Sequence, residues 1–158
     1  MTSADHDASV GRYEAKTSRL RSVWANPLLW TLQGWLAMFY VAAGYAKLTE
    51  PRELLIALLS WPTYAPPVLV TVVGWAELLL AVLLLSPLLS WRFGRPAMFG
   101  SALAITVSAA VMALIHGASL QPGHVVTNLI LMALGIGVIV GRQAHPPPAV
   151  RPDAALPR

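Results

Sequence analysis

The chain contains no cysteine. Disulfide exchange, thiolate-bound metals and cysteine-ligated iron–sulfur clusters are therefore outside its chemistry, and the redox compartment stays open. Charge is the second scarcity. Asp, Glu, Lys and Arg make up 11% of the 158 residues, against roughly 25% in soluble domains. From Pro96 to Gly141, 46 residues, there is no charged side chain. Between Glu53 and Asp153 the only acidic residue is Glu77.

Hydrophobic residues fill the space, at 56% and a mean hydropathy of +0.62. One soluble domain of this length cannot bury so much apolar surface, so the solvent is lipid. The net charge of +4 does not indicate nucleic acid, because the basic residues are scattered singly and form no aromatic-interleaved cluster. The composition predicts an all-α integral membrane bundle.

Four spans are expected. The first, about 27–48, opens on Asn26-Pro27, a capping residue followed by proline at the first helical position. Gln33 is its lone amide and reads as an inter-helix hydrogen bond. The second, about 67–89, follows Pro66-Pro67. The charge-free stretch would reach about 69 Å as one helix, more than two bilayer cores. It therefore splits at the turn-forming His116–His124 segment into spans at about 97–116 and 124–141. Ser90 to Arg95 reads as a short basic loop, and Gly137 and Gly141 as a small-residue pair for close packing. Between the first two spans, residues 51–60 are too few to cross and predict an interfacial or re-entrant helix over one mouth of the bundle, with Trp61 and Tyr64 at headgroup level. Residues 1–25 read as a disordered tail, too mixed in charge for a signal peptide and expected to be retained. The proline-rich 143–158 reads as a second disordered tail.

Nine basic residues fall on the side of the two termini and the 90–95 segment; Lys47 and Arg52 alone fall on the other. The excess predicts both termini cytoplasmic, in the cell membrane. Helical rise then sets depth. Glu77 lies about 15 Å below Pro67, near the midplane. An ionisable group there is costly unless paired, hydrated or neutralised, which makes it a functional-site hypothesis by default. Tyr40 and Ser108 lie at similar depth, Asn128 one turn below His124 on the same face, and Lys47, His116 and His124 at the rim. These seven residues predict a polar pocket open to the exterior with Glu77 at its floor. Trp75 and Tyr40 are aromatics at a depth similar to that of Glu77. For Lys47, snorkelling to the interface competes with an ion pair to Glu77. His116 and His124 lack an evident third ligand for a metal.

Two segments resemble the DoxX-like family of four-helix membrane proteins. AAGYAKLTEP, Ala42 to Pro51, resembles the end of the family's first helix. VGWAELLLAVLLL, Val73 to Leu85, resembles its second-helix Gly, two residues, Glu-Leu-Leu motif. Gly141-Arg142 resembles the closing Gly-Arg, and the likeness covers roughly 27–142. Departures are Leu80, where the family often has glycine, and His124 and Asn128, where many relatives have an acidic residue. Related methylamine-utilisation proteins usually carry cysteines, which this chain lacks. The resemblance implies a small membrane subunit linked to quinone-reducing or oxidative-stress oxidoreductases, with Lys47 and Glu77 as the positions to carry over.

The leading expectation is thus a non-autonomous subunit of a membrane oxidoreductase, with a soluble oxidoreductase as partner and a quinone as the ligand class; no haem, flavin, nucleotide or metal motif is present. The competing expectations are a proton-coupled transporter, for which a homodimer would have to supply the inverted repeat the chain lacks, and a membrane scaffold without chemistry.

Overall fold

The structure, a computed structural model, describes residues 3–144, with side chains from Trp24 onward. The described residues form five α-helices and two 3-10 turns, with no strand among them. The helices are α1 (Ser3–Thr49), α2 (Arg52–Leu59), α3 (Pro67–Leu85), α4 (Trp91–Ala118) and α5 (Pro122–Ala144), with 3-10 turns at Trp61–Thr63 and Ser86–Leu88. Three stretches are long and apolar enough to cross a membrane: Pro67–Leu88, Trp91–Ala118 and Pro122–Ala144. They correspond to the second, third and fourth expected spans. The first, 27–48, lies within α1, and the short helix falls where 51–60 was expected.

Two helix starts differ from the sequence reading. Helix α1 begins at Ser3 and continues through the segment read as a tail. Pro27 is thus inside the helix, where it removes one backbone donor but keeps a helical φ. Asn26 is therefore not the start of the helix, and its side chain is used elsewhere. Ser90 to Arg95 is not a loop. Extended Ser90 precedes the first turn of α4, Gly94 N–H donates to Ser90 O at 2.7 Å, and Pro96 sits inside the helix. The C-terminal tail lies outside the described residues from position 145 onward.

Helices α1 and α3 form one closely packed pair and α4 and α5 another, joined by α3 against α4. The contact that closes the ring, α1 against α5, is less extensive. Small and branched side chains fill the centre: Leu36 and Ala37 of α1, Ala81 and Leu84 of α3, Met98, Ala102 and Ile105 of α4, and Val138 of α5. Outward positions are apolar too, among them Met38, Val82, Val107 and Ile136, as a lipid-facing surface requires.

Gly94 fixes the turn between α3 and α4. A Cβ at this position would collide with the backbone of Ser86 and Pro87. The Ser86 hydroxyl donates to Gly94 O at 3.0 Å and Leu83 O at 2.6 Å, tying the 3-10 turn to the first turn of α4. Gly94→Ala should therefore cost about 1–3 kcal/mol, the usual range for overpacking, despite alanine's better helix propensity. Thermal unfolding in detergent tests this, and an unchanged or raised midpoint would contradict it.

Candidate functional site

The site begins with two glycines. Gly44 of α1 and Gly74 of α3 face each other so closely that a Cβ on Gly44 would lie 2.7 Å from Gly74 O. One turn after each comes the charge: Lys47 three residues beyond Gly44, Glu77 three beyond Gly74. The chains run in opposite directions, so these steps separate the two Cα atoms in depth. The lysine closes the gap. Helical side chains lean toward their own N-terminus, which aims Lys47 into the bundle rather than out of it. Its Nζ donates to Glu77 Oε2 at 2.7 Å and Oε1 at 2.8 Å, and lies 3.4 Å from Ala43 O, one turn back along α1. Side-chain exposures of 5% for Lys47 and 17% for Glu77 place the pair among buried ion pairs, whose members depend on each other.

The pair lines a cavity of ≈ 130 Å³. Tyr40, His116, His124 and Asn128 share its wall, which brings together six of the seven residues singled out in the sequence. The Nδ1 of His116 is 2.7 Å from Gln121 Oε1 across the α4–α5 turn, and its ring stacks on His124 at 4.7 Å. Asn128 donates to His124 O at 2.8 Å, so its amide oxygen is left for other partners. Leu59 and Trp61 cover the cavity from the α2 side. The end of the short helix and the turn after it thus reach the cavity, with Trp61 on its wall and Tyr64 outside at 91% exposure. Arg52 ties α2 to the turn that follows it by donating to Pro62 O at 2.9 Å and Ala65 O at 3.0 Å.

Two residues of similar depth lie outside the cavity wall. Ser108 neighbours the Tyr40 hydroxyl but is exposed and does not line the cavity. Trp75 is 63% exposed and points away. Two residues along a helix turn the chain by about 200°, so Trp75 and Glu77 occupy opposite faces. Phe39 is the aromatic that joins Tyr40 on the wall, edge-on to it at 5.9 Å.

Lys47 also lines a second cavity of ≈ 220 Å³, with Glu50, Arg52, Pro67 and Thr71. Lys47 is the one residue common to the two linings. No group of three or more His, Asp or Glu suited to a metal ion occurs among the described residues.

At the other end of the bundle lies a polar cluster that sequence reasoning missed. Arg142 is 1% exposed. Its Nε donates to Gln33 Oε1 at 2.6 Å and its Nη1 to Asn26 Oδ1 at 2.7 Å. The guanidinium lies 4.3 Å from the Trp30 ring centre and 5.6 Å from that of Trp91. Gln33 in turn donates to Leu84 O at 3.0 Å, the inter-helix bond expected of it. The network ties α1, α3, α4 and α5 together. Nη2 has no hydrogen-bond partner among the described residues. The signal was present in the sequence: a lone amide in the first span and an arginine at the end of the last.

Fold and site together define a helical membrane protein with a buried ion pair on the wall of a capped polar cavity. The DoxX-like family model matches residues 31–138, and the chain belongs to that family. It is a multi-pass membrane protein. No curated protein and no solved structure matches it.

Proposed function

We propose that this protein crosses the cytoplasmic membrane four times with both termini inside, and serves as the ligand-holding subunit of a membrane oxidoreductase. One observation carries the reading: a lysine–glutamate pair buried among apolar helices is exposed to a cavity ringed by further donors. A purely structural pair would be better sealed. The wall fits a planar ring with carbonyl acceptors, since Lys47, Tyr40, His116 and His124 supply donors and Phe39 and Trp61 supply flat apolar faces. A quinone, when bound, would supply two-electron chemistry coupled to protons. Lys47 would hold and polarise an oxygen, Glu77 would hold or release the accompanying proton, and the Trp61 cap would exclude bulk water. A soluble oxidoreductase would supply the electrons.

Purification in mild detergent followed by mass spectrometry of everything that accompanies the chain tests the reading. The expected outcome is a stoichiometric oxidoreductase or quinone, with Glu77→Gln lowering turnover of the assembly by about 10²-fold or more, as loss of general acid–base catalysis does. Unchanged quinone binding and unchanged turnover in that variant would remove the proton role.

The two chambers meeting at Lys47 favour a second reading, a proton-coupled transporter gated by the pair. Recovery of the chain alone, together with proteoliposome flux that disappears in Glu77→Gln, would decide for it.

A further inference from the structure

The contact between α1 and α5 is a wedge. At the Arg142 end it is shut: Gly141 packs so tightly on Leu29 that a Cβ would collide with it, and Arg142 bonds to Gln33 and Asn26 just below. By Gly137 the helices have relaxed to ordinary contact, with Leu32 3.9 Å from a Cβ placed there. Further along they part, leaving a groove of ≈ 260 Å³ that contains Leu32 and Trp35 of α1 and Ile130 and Leu134 of α5. Thr127 is the only hydroxyl on its wall.

This groove adjoins the cavity. Phe39, Thr127 and Leu131 line both, so these three side chains stand between the apolar groove and the Lys47–Glu77 chamber. Phe39 and Thr127 are exposed on the groove side. The opposite mouth of the cavity is covered by Leu59 and Trp61. A chamber that holds an ion pair beside an apolar groove suits a molecule with a small polar head and a hydrocarbon chain.

We propose that the ligand of this site carries a hydrocarbon chain and reaches the cavity sideways from the bilayer, between α1 and α5, with its chain remaining along Leu32, Trp35, Ile130 and Leu134. The proposal rests on the reading of the Lys47–Glu77 cavity as a ligand site and adds the chemical class of the ligand and its route. Because a chain gains little by moving from lipid to an apolar groove, the groove acts on orientation and access more than on affinity. Obstruction is therefore the informative perturbation.

The test uses the full chain in lipid nanodiscs and two probes, a dimethoxy benzoquinone and the same ring bearing a decyl chain with a terminal diazirine. On illumination the chain should attach to Leu32, Trp35, Ile130 or Leu134, and the chainless ring should compete the adduct away. Leu134→Trp, or Ile130→Trp if the first fails to fold, should weaken the decyl probe about tenfold while leaving the chainless ring within about twofold. Adducts spread over other lipid-facing positions such as Val82 and Val107, or on a second copy of the chain, would overturn the groove, as would equal loss of both probes in the tryptophan variants. If the chainless ring binds and its binding depends on Lys47, those results leave the cavity reading intact. If neither probe binds wild-type protein, the cavity reading fails and the groove with it.

Discussion

Lys47→Met should destabilise the protein by about 3–5 kcal/mol, the usual cost of removing one partner from a buried pair. The carboxylate is left at the foot of a small cavity with Tyr40, Asn128 and the two histidines, none of which approaches Glu77 as Nζ does. Glu77→Gln should cost less, because the stranded lysine is long and sits one turn from the end of α1, where it can swing out to the interface. The double variant Lys47→Met/Glu77→Gln should recover most of the loss, since no unpaired charge remains. Thermal unfolding of the four proteins in one detergent closes the cycle. The single changes should be non-additive by about 1–3 kcal/mol, as expected for residues in direct contact. Additive losses below about 1 kcal/mol would mean that water already screens the pair.

Arg142→Leu should produce a loss of similar size at the opposite end. Two hydrogen bonds from a charged donor disappear, at about 1.5–3 kcal/mol each, and Gln33 and Asn26 are left without their partner. Arg142→Lys should rescue less than half of this, because an ammonium cannot reproduce the planar fork that reaches both amides and stacks on Trp30. Gln33→Leu should resemble Arg142→Leu more than an ordinary surface change, because it also releases Leu84 O. The readout is the unfolding midpoint together with protease sensitivity near residue 142. A midpoint unchanged in Arg142→Leu would show that the arginine merely rests in the bundle.

Glu77 is legible from sequence because it is the only acidic residue between Glu53 and Asp153. Once the spans were counted, helical rise placed Tyr40, Lys47, His116, His124 and Asn128 near it, and the cavity gathers all of them. Depth is a one-dimensional quantity that counting supplies. Rotation about the helix axis is not so easily read when a span is apolar on every side. Ser108 was therefore misplaced, although its depth was a reasonable match. Trp75 shares Glu77's depth but, at an offset of two, not its face. Phe39, Met112 and Thr127 carry no signal of their own, because such residues are common on lipid-facing surfaces as well. Arg142 was counted as one more tail cation because it follows the last apolar run; only packing shows that α5 continues to Ala144 and buries it. Pro96 looked like a helix start, whereas the first turn of α4 is set by Ser90 and by the approach of Gly94 to the preceding turn. The Lys47–Glu77 bond was one of two open readings, and the backward lean of a helical side chain decided between them.

The two chambers that share Lys47 have an electrical consequence. In a bilayer, the membrane voltage falls mainly across material of low polarisability. Between Glu77 and the Arg142 end the interior is packed with Leu36, Leu84, Met98 and Ile105, while on the other side of Glu77 lie polar cavities. In the four-span arrangement proposed above, water admitted to those cavities would concentrate the field on the packed half. A proton arriving at Glu77 from the Lys47 side would then traverse only a small fraction of the voltage, whereas one leaving toward the Arg142 end would meet most of the roughly 2.3 kcal/mol per 100 mV that a full crossing involves.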